Sequence, residues 1–339
     1  MYIFVNSMSN FNPLKLRIAR EILGLSLDEL SIAMHSYVTK QSLSKYEQGA
    51  MKPLDKRMNI LAEALGVPKQ FFTDDGLSID IPKLRKSSPR DLSETEITIT
   101  ESIILYHAER FKKKAEKLQL DIDFNCPVLG KTIANFEDVI SASEALRHIW
   151  SCGDGAIPSV IRLLERHGIW IFEYNLPDKV LGLSTWVDKK YPLIILDTRK
   201  EKTTTERLRF TAMHELGHLL FTFPENVDEE KMCNKFASLF LFPKKTFIQE
   251  MYNSHREELY LEELIDLRET YGVSIAAIVH EAYDLGVINR AHYDYWFDYI
   301  IKSNPKEEGW GEYLFPETLG KEKRMNVIIN QSNNNPSVL

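Results

Sequence analysis

The sequence contains 339 residues, which predicts two or three domains if a domain takes about 150 residues. Apolar side chains make up 44% of these residues and charged side chains 27%, a balance that excludes a disordered or fibrous chain. The longest aliphatic run is residues 193–196, and residues 1–10 lack the features of a signal peptide, so we expect no membrane association. Three scattered cysteines argue against a disulfide framework, and the expected location is therefore the reducing cytoplasm.

The formal net charge of −7 argues against nucleic-acid binding, but the charge is unevenly distributed along the chain. Residues 1–73 contain nine Lys and Arg and six Asp and Glu, a balance of +3 that leaves −10 for the remainder. The sequence therefore predicts a small basic module joined to an acidic body.

Short helices with clear boundaries are predicted for the basic module. Ser26 and Glu29 form a capping box, in which each side chain satisfies a backbone N–H group of the other residue. Thr39 is typical of an N-cap, and Gly49 and Gly66 are typical of helix ends. The predicted helices are residues 13–23, 27–34, 40–48 and 54–65.

Two helices joined by a short turn, the second with a polar surface, indicate a helix-turn-helix. In the helix at residues 40–48, Leu43 and Tyr46 are expected to face inward. Glutamine can pair with adenine, while lysine and serine can contact guanine or phosphate oxygens. A helical bundle with a merely solvated polar surface is the alternative. The candidate DNA contacts are Lys40, Gln41, Ser42, Ser44 and Lys45.

Residues 26–30, 39–49 and 61–67, together with Pro53, follow the order seen in XRE/Cro-type repressor domains, which this module resembles. The resemblance implies an all-α, lambda-repressor-like fold that binds operator DNA. Such readers commonly bind paired half-sites as dimers, so a homodimer is a candidate assembly. Leu27 stands where the family often has a glutamine that contacts the DNA backbone, which implies weaker phosphate anchoring.

Beyond a predicted linker at residues 74–95, the chain is expected to change from helices to strands. Runs of β-branched and aromatic residues begin after Gly168. Short strands preceded by helices indicate a small α+β domain. The predicted helices are residues 96–118, 141–150 and 157–167, and the predicted strands are residues 169–174, 181–187 and 193–196.

The most informative stretch is the motif H-E-x-x-H at residues 214–218. His214 and His218 are one helical turn apart, so both imidazoles can bind one cation. Glu215 lies about 100° around the helix axis from His214, where it can hold a water molecule without being a ligand itself. This pattern is typical of zinc-dependent peptide hydrolysis with the glutamate as general base. The alternative is a buried helix whose histidines form hydrogen bonds in the core.

A catalytic zinc site needs a third protein ligand, which the next predicted helix can supply. Asp228, Glu229 and Glu230 begin this helix, and helical phase favours either glutamate over Asp228 as the inward side chain. The spacing does not separate the two glutamates. Acidic residues in a first helical turn also interact favourably with the helix dipole, which is the alternative explanation of all three.

Residues 207–220 are similar to the core helix of ImmA/IrrE-type metallopeptidases. Residues 230–237, followed by residues 241–243, are similar to the second helix of that family. The resemblance extends weakly back through the predicted strands to about residue 156. It implies an α+β, zincin-like metallopeptidase core.

The same resemblance implies the roles of particular residues. The metal ligands would be His214, His218 and Glu230, with Glu215 as general base and proton shuttle. Asn234 would stand beside Glu230, where it would support a metal ligand. The implied ion is Zn²⁺, with Mn²⁺ as the alternative. Peptidases of this family cleave a repressor or an antitoxin-like protein, so a protein substrate of that kind is implied.

The rest of the sequence is predicted to be a helical C-terminal part. Residues 257–303 resemble a second small helix-turn-helix, whose acidic surface favours packing or a partner contact over DNA binding. Order is expected to decrease after residue 303. The expected domains are a helix-turn-helix at residues 1–73, the linker at 74–95, a helical connector at 96–155, the metallopeptidase core at 156–256, the helical subdomain at 257–303 and a partly disordered tail at 304–339.

The sequence thus predicts a DNA-binding transcriptional regulator fused to a zinc-dependent endopeptidase, with operator DNA and a protein substrate as partners. The alternative is a transcription factor whose metallopeptidase-like domain only senses a metal or a ligand. Glu215 favours the enzyme, because a pure binding site has no need of it. In a third interpretation the helix-turn-helix only docks the protein substrate, which predicts no salt-dependent affinity for DNA.

Overall fold

Contacts between residues divide the chain into two compact units in the computed structural model. The first comprises residues 1–86 and 90–113, and the second comprises residues 87–89 and 114–339. None of the helices in the described part of the chain is long and apolar enough to cross a membrane. The described residues are 11–67, 69–72, 79–80, 94–120, 124–176, 180–252, 255–315, 317–318 and 320–334.

The first unit is helical, and the predicted caps begin its helices. Ser26 accepts a hydrogen bond from the backbone N–H of Glu29, whose carboxylate accepts one from the N–H of Ser26. Thr39 caps the third helix by accepting from the N–H of Ser42. The elements are α1 (Pro13–Ile22), α2 (Leu27–Ala33), α3 (Lys40–Glu47), α4 (Asp55–Ala64), a 3-10 turn (Lys69–Phe72), β1 (Ile79–Asp80) and α5 (Glu94–Lys117), of which residues 114–117 belong to the second unit.

Helix α3 is held in place by buried apolar side chains and by an ion pair at its C-terminal end. Leu43 and Tyr46 are fully buried, as predicted. Arg20 of α1 donates two hydrogen bonds, of 2.7 and 2.9 Å, to the two carboxylate oxygens of Glu47. A two-pronged bond of this kind fixes orientation as well as distance. The opposite side of α3 is therefore presented outward in a defined position.

The second unit contains the predicted α+β core, and most of its elements lie close to their expected positions. One difference is helix α6, which begins at Phe136 rather than at residue 141. Asn135 caps it by accepting from the N–H of Asp138. The elements are β2 (Lys131–Thr132), α6 (Phe136–Ile149), α7 (Val160–Arg166), β3 (Trp170–Glu173), β4 (Gly182–Val187), β5 (Tyr191–Leu196), α8 (Thr205–Leu220), β6 (Phe221–Thr222), α9 (Glu229–Leu241), α10 (Lys244–Glu250), α11 (Leu261–Tyr271), α12 (Ile275–Asp284), α13 (Arg290–Tyr295), a π turn (Trp296–Ile300), a 3-10 turn (Ile301–Ser303) and α14 (Lys321–Asn334).

Three strands of the second unit form a mixed sheet in which β5 lies between β4 and β3. Strand β5 pairs antiparallel with β4 and parallel with β3, so Ile194 lies opposite both Ser184 and Ile171. Every residue of β5 is buried, as expected for a central strand. The short strands β2 and β6 pair in parallel, and β6 directly follows α8.

Helices α8 and α9 pack closely because a glycine lies at their contact. A Cβ atom on Gly217 would lie 3.0 Å from the sulfur of Cys233 and 3.3 Å from Cδ1 of Phe236. Cys233 and Phe236 are themselves fully buried. The absence of a side chain at residue 217 therefore lets the beginning of α9 approach the motif on α8.

Described residues after residue 303 make buried contacts, in a segment where order was expected to decrease. The side chain of Glu317 is 1% exposed and accepts a hydrogen bond of 2.6 Å from buried Arg209 on α8. Glu317 also accepts from the N–H groups of Val160 and Ile161 at the start of α7. These partners are distant in sequence, so local composition does not reveal them. The predicted linker lies outside the described residues except for residues 79–80 and 94–95, as do residues 335–339 of the tail.

We predict that Arg209→Met destabilises the second unit by about 3–5 kcal/mol, because it leaves the carboxylate of Glu317 buried without its cation. Arg290→Gln is the control, since it breaks an exposed ion pair with Asp294 and costs less than about 1 kcal/mol. Urea unfolding followed by tryptophan fluorescence measures both, because all five tryptophans lie in the second unit. Equal losses in the two variants would contradict the prediction.

Candidate metal centre and nucleic-acid interface

His214 and His218 on α8 and Glu230 on α9 bring three donor atoms to one point. The Nε2 atoms of the two histidines are 3.0 Å apart. Oxygens of Glu230 lie 3.2 Å from Nε2 of His214 and 3.4 Å from Nε2 of His218. Ligands of a tetrahedral zinc ion, bound at about 2.0–2.2 Å, lie roughly 3.3–3.6 Å from one another. The three side chains therefore fit a single ion of this size.

The electrostatics around His214 favour a positive charge. Burial by itself would lower the pKa of His214, but the hydrogen bond to Glu230 and the charges of Glu215 and Glu230 outweigh burial, so the pKa is raised. A hydrogen bond between Asn234 and His214 acts in the same direction, and the supporting role beside Glu230 that the resemblance implies stays a prediction. A proton or a metal ion is stabilised by the same negative field.

Glu215 is held by a hydrogen bond from a residue of the sheet. The hydroxyl of Ser184 on β4 donates a hydrogen bond of 2.7 Å to its Oε2 atom. Gly182 lies so close to α8 that a Cβ atom there would be 2.5 Å from Cγ2 of Thr211 and 3.0 Å from Cγ of Glu215. Sequence reasoning missed Ser184, which carries no local signal. The isolated glycine within the strand pattern, Gly182, could have indicated the close approach, but no prediction was drawn from it.

The structure brings both candidate glutamates to His218, on opposite sides of its ring. Glu230 faces Nε2, whereas Oε1 of Glu229 lies 2.8 Å from Nδ1. The sulfur of Cys233 lies 3.5 Å from the same Nδ1 atom. Asp228 instead caps α9 by accepting from the N–H of Lys231, which agrees with its expected outward position.

A cleft of about 540 Å³ leads to the metal centre. His214, Glu215, Glu230 and Asn234 line it, and residues 305–307 also contribute to its lining. Glu307 is fixed there because it accepts hydrogen bonds of 2.9 Å from two N–H groups at the start of α12. Part of the predicted tail therefore shapes the cleft.

The candidate DNA contacts lie on the outward side of α3. Lys40, Gln41 and Lys45 are exposed, while Ser42 and Ser44 are half-buried. Lys40 pairs with exposed Asp28 at the start of α2, and Ser44 accepts from the amide of Gln48. Among the described residues, Gln41 and Lys45 have no side-chain partner and are available to a ligand.

Comparison with protein families matches both units. Residues 16–72 match the helix-turn-helix family model, and residues 164–283 match the IrrE N-terminal-like domain of the M78 peptidases. The chain joins an XRE-type helix-turn-helix to an ImmA/IrrE-type peptidase domain. The predicted fusion and its α-helical and α+β folds are thereby confirmed. No curated protein matches the chain.

The matched ranges contain the two candidate sites. Helix α3 lies within the helix-turn-helix match, and both α8 and α9 lie within the peptidase match. Residues 305–307, which line the cleft, lie beyond the peptidase match. The domain boundaries and the individual site residues remain predictions.

We predict that Zn²⁺ stabilises the second unit and that the effect requires the clustered donors. At a free concentration about 100 times the Kd, binding adds about 2.7 kcal/mol to the free energy of unfolding. His218→Ala should abolish most of this gain, whereas His280→Ala, at an exposed position on α12, should retain it. Urea unfolding monitored by tryptophan fluorescence, with and without chelator, measures the gain. An undiminished gain in His218→Ala would argue against this centre.

Proposed function

We propose that the protein is a DNA-binding transcriptional regulator whose peptidase domain is a zinc-dependent endopeptidase that cleaves a repressor or an antitoxin-like protein. The observation that carries this proposal is the position of Glu215 beside the three converging donors. Glu215 adds no donor to the trio, yet Ser184 holds it in place. A site that only bound metal would gain nothing from this arrangement.

In the proposed reaction His214, His218 and Glu230 hold the ion, which is Zn²⁺ or alternatively Mn²⁺. When bound, the ion supplies Lewis acidity that makes a water molecule easier to deprotonate and a carbonyl group easier to attack. Glu215 accepts the proton of the attacking water and returns it to the leaving amine. The hydrogen bond from Ser184 to Oε2 orients the carboxylate for this proton transfer.

The decisive experiment uses Glu215→Gln, in which the amide keeps the shape of the side chain but cannot act as a base. Metal-loaded protein is incubated with the proteins encoded at neighbouring loci, with and without chelator, and cleavage is followed by mass spectrometry. The wild type should cut one of them. Chelator should stop the reaction, and Glu215→Gln should slow it by about 10² or more while its metal content stays stoichiometric.

Glu225→Gln is the control, because Glu225 is exposed in the loop before α9. Cleavage retained by Glu215→Gln would overturn the assigned role. If the wild type cleaves none of these proteins and its DNA binding depends on metal, the peptidase-like domain is a sensor, which is the alternative function.

The helix-turn-helix supports DNA binding, and we propose that its outward side on α3 reads the operator. The proposed location is the compartment that contains the DNA, which the sequence predicts to be the cytoplasm. Lys40, Ser42 and Ser44 are assigned to phosphate or base-edge contacts beside Gln41 and Lys45. Two copies of the chain are expected on paired half-sites.

Lys45→Ala should weaken binding to DNA from upstream of the protein's own coding sequence. It should also reduce the slope of log affinity against log salt by about one, because one phosphate contact is lost.

Gln41→Ala should reduce discrimination between operator and scrambled DNA by about 1–3 kcal/mol. Lys69→Ala, at a residue paired with Asp55, should change neither quantity. Fluorescence anisotropy at several salt concentrations tests this, and salt-independent binding would favour a protein-docking role.

A further inference from the structure

The metal centre contains a carboxylate that is used neither as a metal ligand nor as the base. Glu229 is the first residue of α9, and its Oε1 atom lies 2.8 Å from Nδ1 of His218. The two side chains are 23% and 10% exposed, so the contact is largely protected from water. A hydrogen bond to a carboxylate is strong under these conditions.

We propose that Glu229 is a positioning residue that sets the tautomer and the orientation of His218. A neutral imidazole carries one hydrogen, and donation of that hydrogen from Nδ1 leaves a lone pair on Nε2. Nε2 is the atom that faces Glu230 and His214. Glu229 therefore aims the lone pair of His218 at the ion. This inference rests on the proposed metal centre, but it does not require that the centre cleave a protein.

Consecutive positions on α9 explain how two glutamates serve one histidine. Successive residues of a helix differ by about 100° around its axis, so adjacent side chains can reach opposite edges of the same ring. Glu230 reaches the Nε2 edge and Glu229 reaches the Nδ1 edge. The close contact at Gly217 brings the beginning of α9 near enough for both.

The two histidines of the motif are supported differently. Nδ1 of His214 is buried and has no hydrogen-bond partner among the described residues. His218 alone is thus restrained through both ring nitrogens by acidic side chains. Loss of the support to His218 should therefore weaken metal binding even though all three donor side chains remain.

Cys233 is the competing partner of His218. Its sulfur lies 3.5 Å from Nδ1, and with Glu229 and His218 it forms a second group of donors within 4.8 Å of one another. A thiol is a weak acceptor compared with a carboxylate. The shorter contact to Glu229 therefore favours a hydrogen bond at Nδ1 over an ion bound on that side of the ring.

The test compares Glu229→Ala and Glu229→Gln with the control Glu225→Ala. Zn²⁺ affinity is measured by competition with a chromophoric chelator. Glu229→Ala should bind about 10- to 100-fold more weakly than the wild type, in keeping with the usual effect of removing a group that supports a metal ligand. Glu229→Gln should lose less, since its amide oxygen still accepts from Nδ1. Glu225→Ala should bind like the wild type.

A second readout separates positioning from a merely structural role. In the zinc-loaded protein with labelled histidines, the Nδ1 proton of His218 should be visible by NMR and slow to exchange with solvent. In Glu229→Ala this proton should exchange rapidly. The unfolding midpoint of metal-free Glu229→Ala should equal that of metal-free Glu225→Ala. Unchanged zinc affinity or unchanged proton exchange in Glu229→Ala would overturn the proposal.

Substitution with Co²⁺ tests the competing arrangement. Thiolate ligation by Cys233 produces intense near-ultraviolet charge-transfer bands, and their appearance in the wild type would also overturn the proposal. Their absence is the expected result. A protein that shows the expected affinities but cleaves nothing would contradict the proposed peptidase activity and leave the role of Glu229 intact.

Discussion

The metal centre depends on how closely α8 and α9 approach each other. A single side-chain carbon at Gly217 would meet Cys233 and Phe236 at 3.0 and 3.3 Å, so a side chain here would require these neighbours to move. Two of the proposed ligands, His214 and His218, stand on α8, and the third, Glu230, stands on α9. Separation by even a fraction of an ångström would open the triangle of donors, because metal–ligand distances vary little. The contact at Gly217 therefore controls the geometry of the whole site.

Buried ion pairs fix the other end of α8, two turns before the motif. Glu206 pairs with Arg268 of α11 at 3.0 Å, and Arg209 pairs with Glu317 at 2.6 Å. Burial alone would raise the pKa of Glu206, but the hydrogen bond and charge of Arg268 outweigh burial and lower it, so the carboxylate stays charged. Buried pairs of this kind contribute little net stability. A packing of the helices that left one of these buried charges unpaired would, however, be strongly disfavoured. These pairs fix one position of the helix that carries the H-E-x-x-H motif.

The uneven charge of the chain matches its two domains. The net charge of −7 describes mainly the acidic peptidase part, whereas the helix-turn-helix carries a balance of +3. On α3, Lys45 and Gln41 are exposed, and Leu43 and Tyr46 hold the helix from behind. The global charge is thus a poor guide to DNA binding when the reading surface is confined to one small domain.

Local chemistry allowed the sequence by itself to determine the helix-turn-helix, the strands of the core and the metal-binding motif. Caps such as Ser26 and Thr39 act within one turn, and histidines four residues apart share a helical side wherever the helix lies. Helical phase also favoured Glu229 and Glu230 over Asp228 as the inward side chain, but it left the two glutamates equivalent. Their difference is a matter of which ring nitrogen of His218 each one faces.

Only the tertiary structure decided the contacts between residues that are distant in sequence. Ser184 reaches Glu215 because the sheet passes over α8, and nothing near residue 184 predicts that hydrogen bond. Glu307 and Glu317 lie in a stretch whose composition predicts disorder, yet both are buried against backbone N–H groups of other helices. Composition describes what a segment can do alone, whereas burial and pairing depend on the partners that the rest of the fold supplies.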